Sequence, residues 1–333
     1  MLVPKKKNNQ ILFIAIISVL SLTSTIGMVF FFLFPLNWFG SVIGLPDTWP
    51  SYWNPSSFVE MVTPIAFFSL AIVLLYIIVG FIIKRYKISI LGSVALYIPI
   101  LGYFSFAMSF MFTGVGVLFV LWIPFVNYCP GILKLGDIVL VPLLPLTLLM
   151  STPLYIILLI FFLLIQGLGI TIFFFSVAEW FYSRFINHEI TVSRIYRYSR
   201  HPQYLGFLIW SYGILLSVSP IVYPSDVTPP LPTLLWLINA LVVVTVALFE
   251  ENELLRIQNT DYTKWREETP FMLPLPNFVS ALLIKPVKVF LKKEWPKNRK
   301  DIAFIISFYT VILIFLSALS SILEISSKLL NTS

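Results

Sequence analysis

The residues able to do chemistry gather in two short runs. Tyr196-Arg197-Tyr198-Ser199-Arg200-His201-Pro202-Gln203-Tyr204-Leu205-Gly206 precedes one apolar stretch, and Glu250-Glu251-Asn252-Glu253-Leu254 closes the next. Pro202 suits the first turn of a helix, where its missing N–H is harmless, so Arg200 and His201 fall beside free amide donors at the positive end of the helix dipole. That corner favours an anion. Glu250 and Glu251 are adjacent like charges at a helix carboxyl end, where the dipole disfavours acids, so they need cations or good donors close by. Taken singly, each run has a plainer reading. Arg200 and His201 could anchor a helix end in lipid headgroups, and the two glutamates could be solvated beside Arg256 or Lys264.

What decides between these readings is whether the elements bring the runs together. Of the 333 residues, 59% are hydrophobic and only 11% charged, less than half the charge of an ordinary soluble domain, which excludes a water-soluble globule. Apolar runs at 11–34, 61–83, 90–110, 112–127, 137–150, 153–178, 203–219, 231–252 and 302–324 predict an all-α polytopic transmembrane helix bundle of about nine spans, seven to nine in all. The third to fifth are the least regular, since Pro124, Pro142 and Pro145 can kink a helix or leave a re-entrant piece.

With a cytoplasmic amino terminus, nine passes put 21 of the 22 Lys and Arg residues on the cytoplasmic side and leave Lys328 outside, as the positive-inside bias requires. The outer segment 35–60 has no Lys or Arg, and its Trp38, Trp49, Tyr52 and Trp53 suit an interfacial aromatic belt. The first apolar run lacks a small-residue cleavage pattern and reads as a retained span. The run 203–219 then rises about 25 Å and 231–252 returns about 30 Å, which brings Glu250 back to the level of Arg200. Asn239, about three turns before Glu250, lies on the same helical face.

An anion corner facing a carboxylate pair suits a zwitterion with hydroxyls: a carboxylate at one end, an ammonium or sulfonium at the other, a ribose between. S-adenosylmethionine fits that description. The remaining groups narrow the field. One cysteine, Cys129, and two histidines, His188 and His201, exclude an internal disulfide and make a poor inventory for a metal. His188 reads as a loop residue, Glu179 as a helix boundary, and Gly167 and Gly169 as a close helix-packing site. The formal charge of +7 is concentrated partly at 285–300, where lysines alternate with Val287, Val289, Phe290, Leu291 and Trp295. A cytoplasmic segment of that kind lies on anionic headgroups, so the charge needs no nucleic acid.

At these residues the sequence resembles the isoprenylcysteine carboxyl methyltransferase and phospholipid methyltransferase superfamily. Its hallmark is Arg-His-Pro-x-Tyr before one span and a Glu-Glu pair after the next, then Leu, a Gly-containing turn, Tyr, an aromatic residue and two prolines. Here this reads RHPQYLG at 200–206 and Glu250, Glu251, Leu254, Tyr262, Trp265, Pro270 and Pro274 in order. Two positions depart from the pattern: Arg194 stands where the family often has Gly, and Asn259 replaces the turn Gly. Asn tolerates a left-handed backbone best after Gly, so the second change is mild.

The resemblance covers roughly 153–280 and implies three regions. These are an N-terminal transmembrane extension of about five spans at 1–152, a methyltransferase-like membrane core with a cytoplasmic cofactor site at 153–280, and a basic interfacial segment with a final span at 281–333. It further implies that Arg200, His201, Pro202, Tyr204 and Tyr196 line an S-adenosylmethionine pocket closed by Glu250 and Glu251. Arg200, His201 and Glu251 are then the candidate catalytic residues, with Arg197, Tyr262 and Trp265 of second rank. The acceptor is a lipid, or a prenylated small molecule or protein, reaching the site from the bilayer. NADPH-dependent sterol or polyprenyl reductases resemble the same region and share an RHP-like motif, and a non-catalytic lipid-binding protein of this fold is a third reading. The Glu pair favours methyl transfer, because two acids suit a dinucleotide phosphate badly.

Overall fold

Long runs of apolar side chains leave the backbone no polar partner but itself, and a helix satisfies every such group within one segment. All regular structure among the described residues is accordingly helical. The computed structural model describes residues 11–20, 22–23, 57–101, 120–143, 154–186, 191–192, 194–218, 231–257, 261–273, 275, 277–293, 295–296 and 298–331. Lys5 to Lys7, the aromatic segment through Trp53, the connection at 219–230, His188, Asn259 and Pro274 lie outside them.

The helices are α1 (Ile11–Leu20), α2 (Ser57–Ile82), α3 (Tyr86–Tyr97), α4 (Leu154–Phe185), α5 (Pro202–Ser217), α6 (Thr233–Ile257), α7 (Asp261–Glu268), α8 (Asn277–Leu291) and α9 (Arg299–Asn331). Within α2, α4, α6 and α9 lie stretches long and apolar enough to cross a membrane; a bent pair at Val120–Tyr128 and Pro130–Leu143 makes five if it counts as one span. The pair turns through 99°, with Pro124 inside its first half, Pro130 opening the second and Pro142 inside it. Much of the runs 90–110, 112–127 and 137–150 lies outside the described residues; where they are described, the chain bends beside prolines that lack a backbone donor.

Two compact units divide the described chain, and the division falls inside α4, α5, α6 and α9. The second unit holds 33–163, 212–246 and 306–333. Within it α2 and α3 form a tight hairpin, closed by Lys84 at φ 64, a left-handed helix end that glycine usually takes. The Ser89 hydroxyl donates to the Ile77 carbonyl at 2.8 Å, and a side chain at Gly80 would collide with Ser89. The bent segment is held by side chains: Tyr212 O–H donates to the Val139 carbonyl (2.6 Å), the Ile138 N–H donates to Ser317 Oγ (3.1 Å), and Thr233 Oγ1 lies 2.6 Å from the Asp137 carboxylate. Irregular backbone amid apolar helices needs such partners.

The first unit holds 1–32, 164–211 and 247–305. Here α4 and α5 meet backbone to backbone. A Cβ at Gly169 would strike the Trp210 nitrogen, and one at Gly206 would strike that of Phe173, whereas Gly167 faces open space. Only glycine permits this approach, and it fixes the start of α5, and hence Arg200 and His201, against α4.

Candidate functional site

The first unit contains both polar runs. Pro202 is the first residue of α5, as its chemistry predicts. The turn before it is held twice: the His201 N–H donates to Ser199 Oγ at 3.2 Å, and the Arg200 N–H donates to the Pro270 carbonyl at 2.9 Å, tying the corner to the chain that follows α7. The last turns of α6 deliver Glu250 and Glu251.

Glu251 is wholly buried, and its carboxylate is the anion that the corner receives. Arg200 Nη1 lies 2.9 Å and His201 Nε2 3.3 Å from Glu251 Oε1, while Arg266 Nε, from α7, donates to Oε2 at 3.3 Å. Arg200 Nη1 and His201 Nε2 make ion-pair distances without the alignment of a hydrogen bond. Beside them Tyr204 O–H donates to Glu250 Oε1 at 2.8 Å, and the Tyr204 ring stacks on His201 with centroids 5.7 Å apart.

Aromatic rings enclose the cations. Arg200 lies 5.6 Å over Phe271 and 5.4 Å over Trp295, and Arg266 lies 5.1 Å over the same Trp295. A desolvated cation gains most from a ring face, so these contacts help keep both guanidiniums charged in an apolar setting. Burial lowers the Arg200 pKa below its ordinary value, with Glu251 opposing the shift and Arg266 adding to it. Burial and the nearby Glu251 push Tyr262 well above the usual phenol range, so it stays protonated. Three buried donors at the cluster have no protein partner: Arg200 Nε, Trp265 Nε1 and Trp295 Nε1.

A second acid lies in the same unit. Glu179, near the end of α4, is buried and paired at 2.9 Å with Arg194, whose side chain is 40% exposed. Arg194 has φ 51, the left-handed backbone that glycine tolerates. The pair borders a cavity of about 370 Å³ otherwise lined by Ile11, Ile14, Ala15, Thr171, Ile172, Phe175 and Ile195. Tyr196 O–H donates to the Ser176 carbonyl at 3.3 Å, and its pKa is raised by burial, then by the charges of Glu179 and Glu250.

The fold thus gathers Arg200, His201, Pro202, Tyr204, Glu250 and Glu251 at one place, with Tyr262 and Trp265 of α7 beside them and Tyr196 buried in the same unit. Arg197 is exposed and makes no part of the cluster. Asn239 belongs to the second unit, where it is wholly buried with neither amide atom hydrogen-bonded. Arg266, Phe271 and Trp295 were not legible as site residues. The signal for Arg266 was its place four residues after Tyr262, on one face of a short helix, and Trp295 was hidden inside a segment that reads as interfacial. Comparison with protein-family models, curated proteins and solved structures finds no match to this chain.

Proposed function

We propose that this chain is an integral membrane methyltransferase, using S-adenosylmethionine to methylate a lipid or lipid-linked acceptor. The observation that carries the reading is the meeting of the Arg-His-Pro corner with the twin glutamates in one buried cluster. The residues fit the cofactor in kind. Arg200 Nε, Trp265 Nε1 and Trp295 Nε1 are buried donors without a protein acceptor, which suits a carboxylate. When bound, the cofactor supplies a methyl group activated by its sulfonium.

The chain's own groups bind and orient. Glu251 positions Arg200, His201 and Arg266, and Phe271 with Trp295 keep water from the guanidiniums. A carboxylate or thiolate acceptor needs alignment more than a base. An amine must lose a proton, for which Glu250 and His201 are the nearest groups. The cavity beside Glu179 and Arg194 lies in the same unit and suits an apolar chain with a polar head. In this reading nine passes with a cytoplasmic amino terminus put the basic residues and the cofactor on the cytoplasmic side.

Titration of S-adenosylhomocysteine onto purified protein in nanodiscs tests the proposal: wild type binds and Glu251→Ala does not, whereas affinity in neither ends it. One observation favours the reductase reading. Arg266 joins Arg200 to put two guanidiniums at the cluster, a better phosphate site than the sequence runs implied. Stabilisation by NADPH but not S-adenosylmethionine in a thermal-shift assay would select it.

A further inference from the structure

Helix α8 carries a surface that the site does not use. Phe278, Leu282, Lys285 and Val289 follow one another at intervals of four and three residues, which sets them on one helical face, and Lys292 follows directly after the helix end. That face is open: Phe278 is 76%, Leu282 67% and Val289 58% exposed, and Lys285 and Lys292 are exposed with them. Lys288, also exposed, borders the face, and Val287 on the opposite side is buried. An apolar stripe left in water is unfavourable. Lysines interleaved with it have a particular use: their stems lie along apolar surface while the ammoniums remain at the level of lipid phosphates. No acid lies within α8 to oppose them.

Chain length keeps this helix near the start of a helix long enough to cross a membrane. The membrane-length helix α9 starts eight residues after α8 ends. The connection is also pinned. Lys292 turns it with φ 51, Lys293 Nζ reaches the Asp301 carboxylate at 2.7 Å, and Asn298 caps α9 by accepting the Asp301 N–H at 2.9 Å. Trp295 sits within this connection, and its ring is the one beneath both Arg200 and Arg266. A displacement of α8 therefore acts on the ring that covers the two guanidiniums.

We propose that α8 docks on the anionic face of a bilayer leaflet, and that docking sets Trp295 against Arg200 and Arg266, so that assembly of the buried cluster depends on anionic lipid. This goes beyond the methyl-transfer reading, because it holds whichever ligand the cluster takes. The partner is a membrane surface because the stripe is apolar, its charges are all basic, and α9 begins a short chain length away. Electrostatic docking of this kind weakens with salt.

The test uses the full chain in nanodiscs, with Cys129→Ser removing the single cysteine and Leu282→Cys carrying an environment-sensitive dye. Phosphatidylglycerol is expected to shift the dye emission to the blue relative to phosphatidylcholine alone. The combined Lys285→Gln, Lys288→Gln and Lys292→Gln variant should lower the shielded fraction several-fold, as should high salt. A dye that stays in water in both lipids overturns the docking. So does one equally shielded in both lipids and in detergent, which would mean that a protein or a second copy covers the face. For the ring, the fluorine resonance of Trp295 in fluorotryptophan-labelled protein, assigned with Trp295→Phe, should move with phosphatidylglycerol in wild type and not in the lysine variant. An unmoved resonance overturns the coupling. Neither readout needs a cofactor, so failure here is distinct from failure of the proposed activity.

Discussion

Two acids of the first unit, Glu251 and Glu179, meet the same problem in different ways. Both stand near the end of a long apolar helix and both are buried. Glu251 is held by Arg200, His201 and Arg266, with Arg200 and Arg266 themselves covered by rings. Glu179 has an ion pair with Arg194, whose side chain reaches solvent, and it borders a cavity. The difference is one of hydration. Releasing Glu251 would strand several buried charges, so its network is a fixed frame. Arg194 keeps part of its hydration, so the Glu179 pair is only half withdrawn from water. Desolvation, rather than distance, separates the two: the contacts are 2.9 Å in both cases.

The largest effect that sharpens this contrast is expected from Glu251→Ala. It leaves buried Arg200 and half-buried Arg266 without their counter-charge, a loss of about 3–5 kcal/mol for a broken buried pair. Melting in nanodiscs should show a strong fall, together with loss of S-adenosylhomocysteine binding. If the variant melts like wild type, Glu251 is not the frame. Arg266→Lys comes next: it keeps the charge but loses the Nε contact and the flat stacking on Trp295, and a cost on the order of 1 kcal/mol should appear in the same assay.

A pH series probes the groups facing each acid. Tyr262, beside Glu251, and Tyr196, near Glu179 and Glu250, both have raised pKa values when folded. Unfolded, both ionise near pH 10. The stability they contribute is therefore fully present below about pH 10 and is lost as pH rises toward their folded values. Tyr262→Phe and Tyr196→Phe should each flatten part of that alkaline fall; a fall unchanged in the double variant would assign it elsewhere.

The smallest effect is expected for Arg194→Gly. Relief of the left-handed backbone opposes the loss of a part-hydrated cation from beside buried Glu179, so melting should fall far less than for Glu251→Ala. Binding of an amphiphile at the cavity should change more. A large fall in melting would make this pair a second fixed frame and erase the contrast.

Much of the site was legible because its residue types are costly where they occur. Pro202 marks a helix start, and two adjacent acids at the end of an apolar run demand cations. The helical class was legible for a similar reason, since long continuous apolar runs, without the alternation of a barrel strand, satisfy their backbone as helices. Between 90 and 150 the prolines made a bend legible, but not its place or its angle of 99°. Hydropathy measures transfer out of water, and it is blind to whether Pro124, Pro130 and Pro142 leave the helix continuous. Arg194 is instructive in the same way. As a departure from the family pattern it put the local geometry in question, yet its φ of 51 keeps the glycine-like turn, with the side chain on Glu179.

The sequence by itself determined that the chain is helical and apolar, that α5 starts at Pro202, and that Glu250 and Glu251 require partners. Those are properties of single residues and of local spacing. Tertiary structure alone decided that Glu251 takes Arg200, His201 and Arg266 while Glu250 takes Tyr204, and that Trp295 lies beneath two guanidiniums. It also decided that Gly169 and Gly206, rather than Gly167, make the close approach. Charge pairing and ring contact depend on distances of a few ångströms between residues far apart in the chain, and no local pattern encodes them.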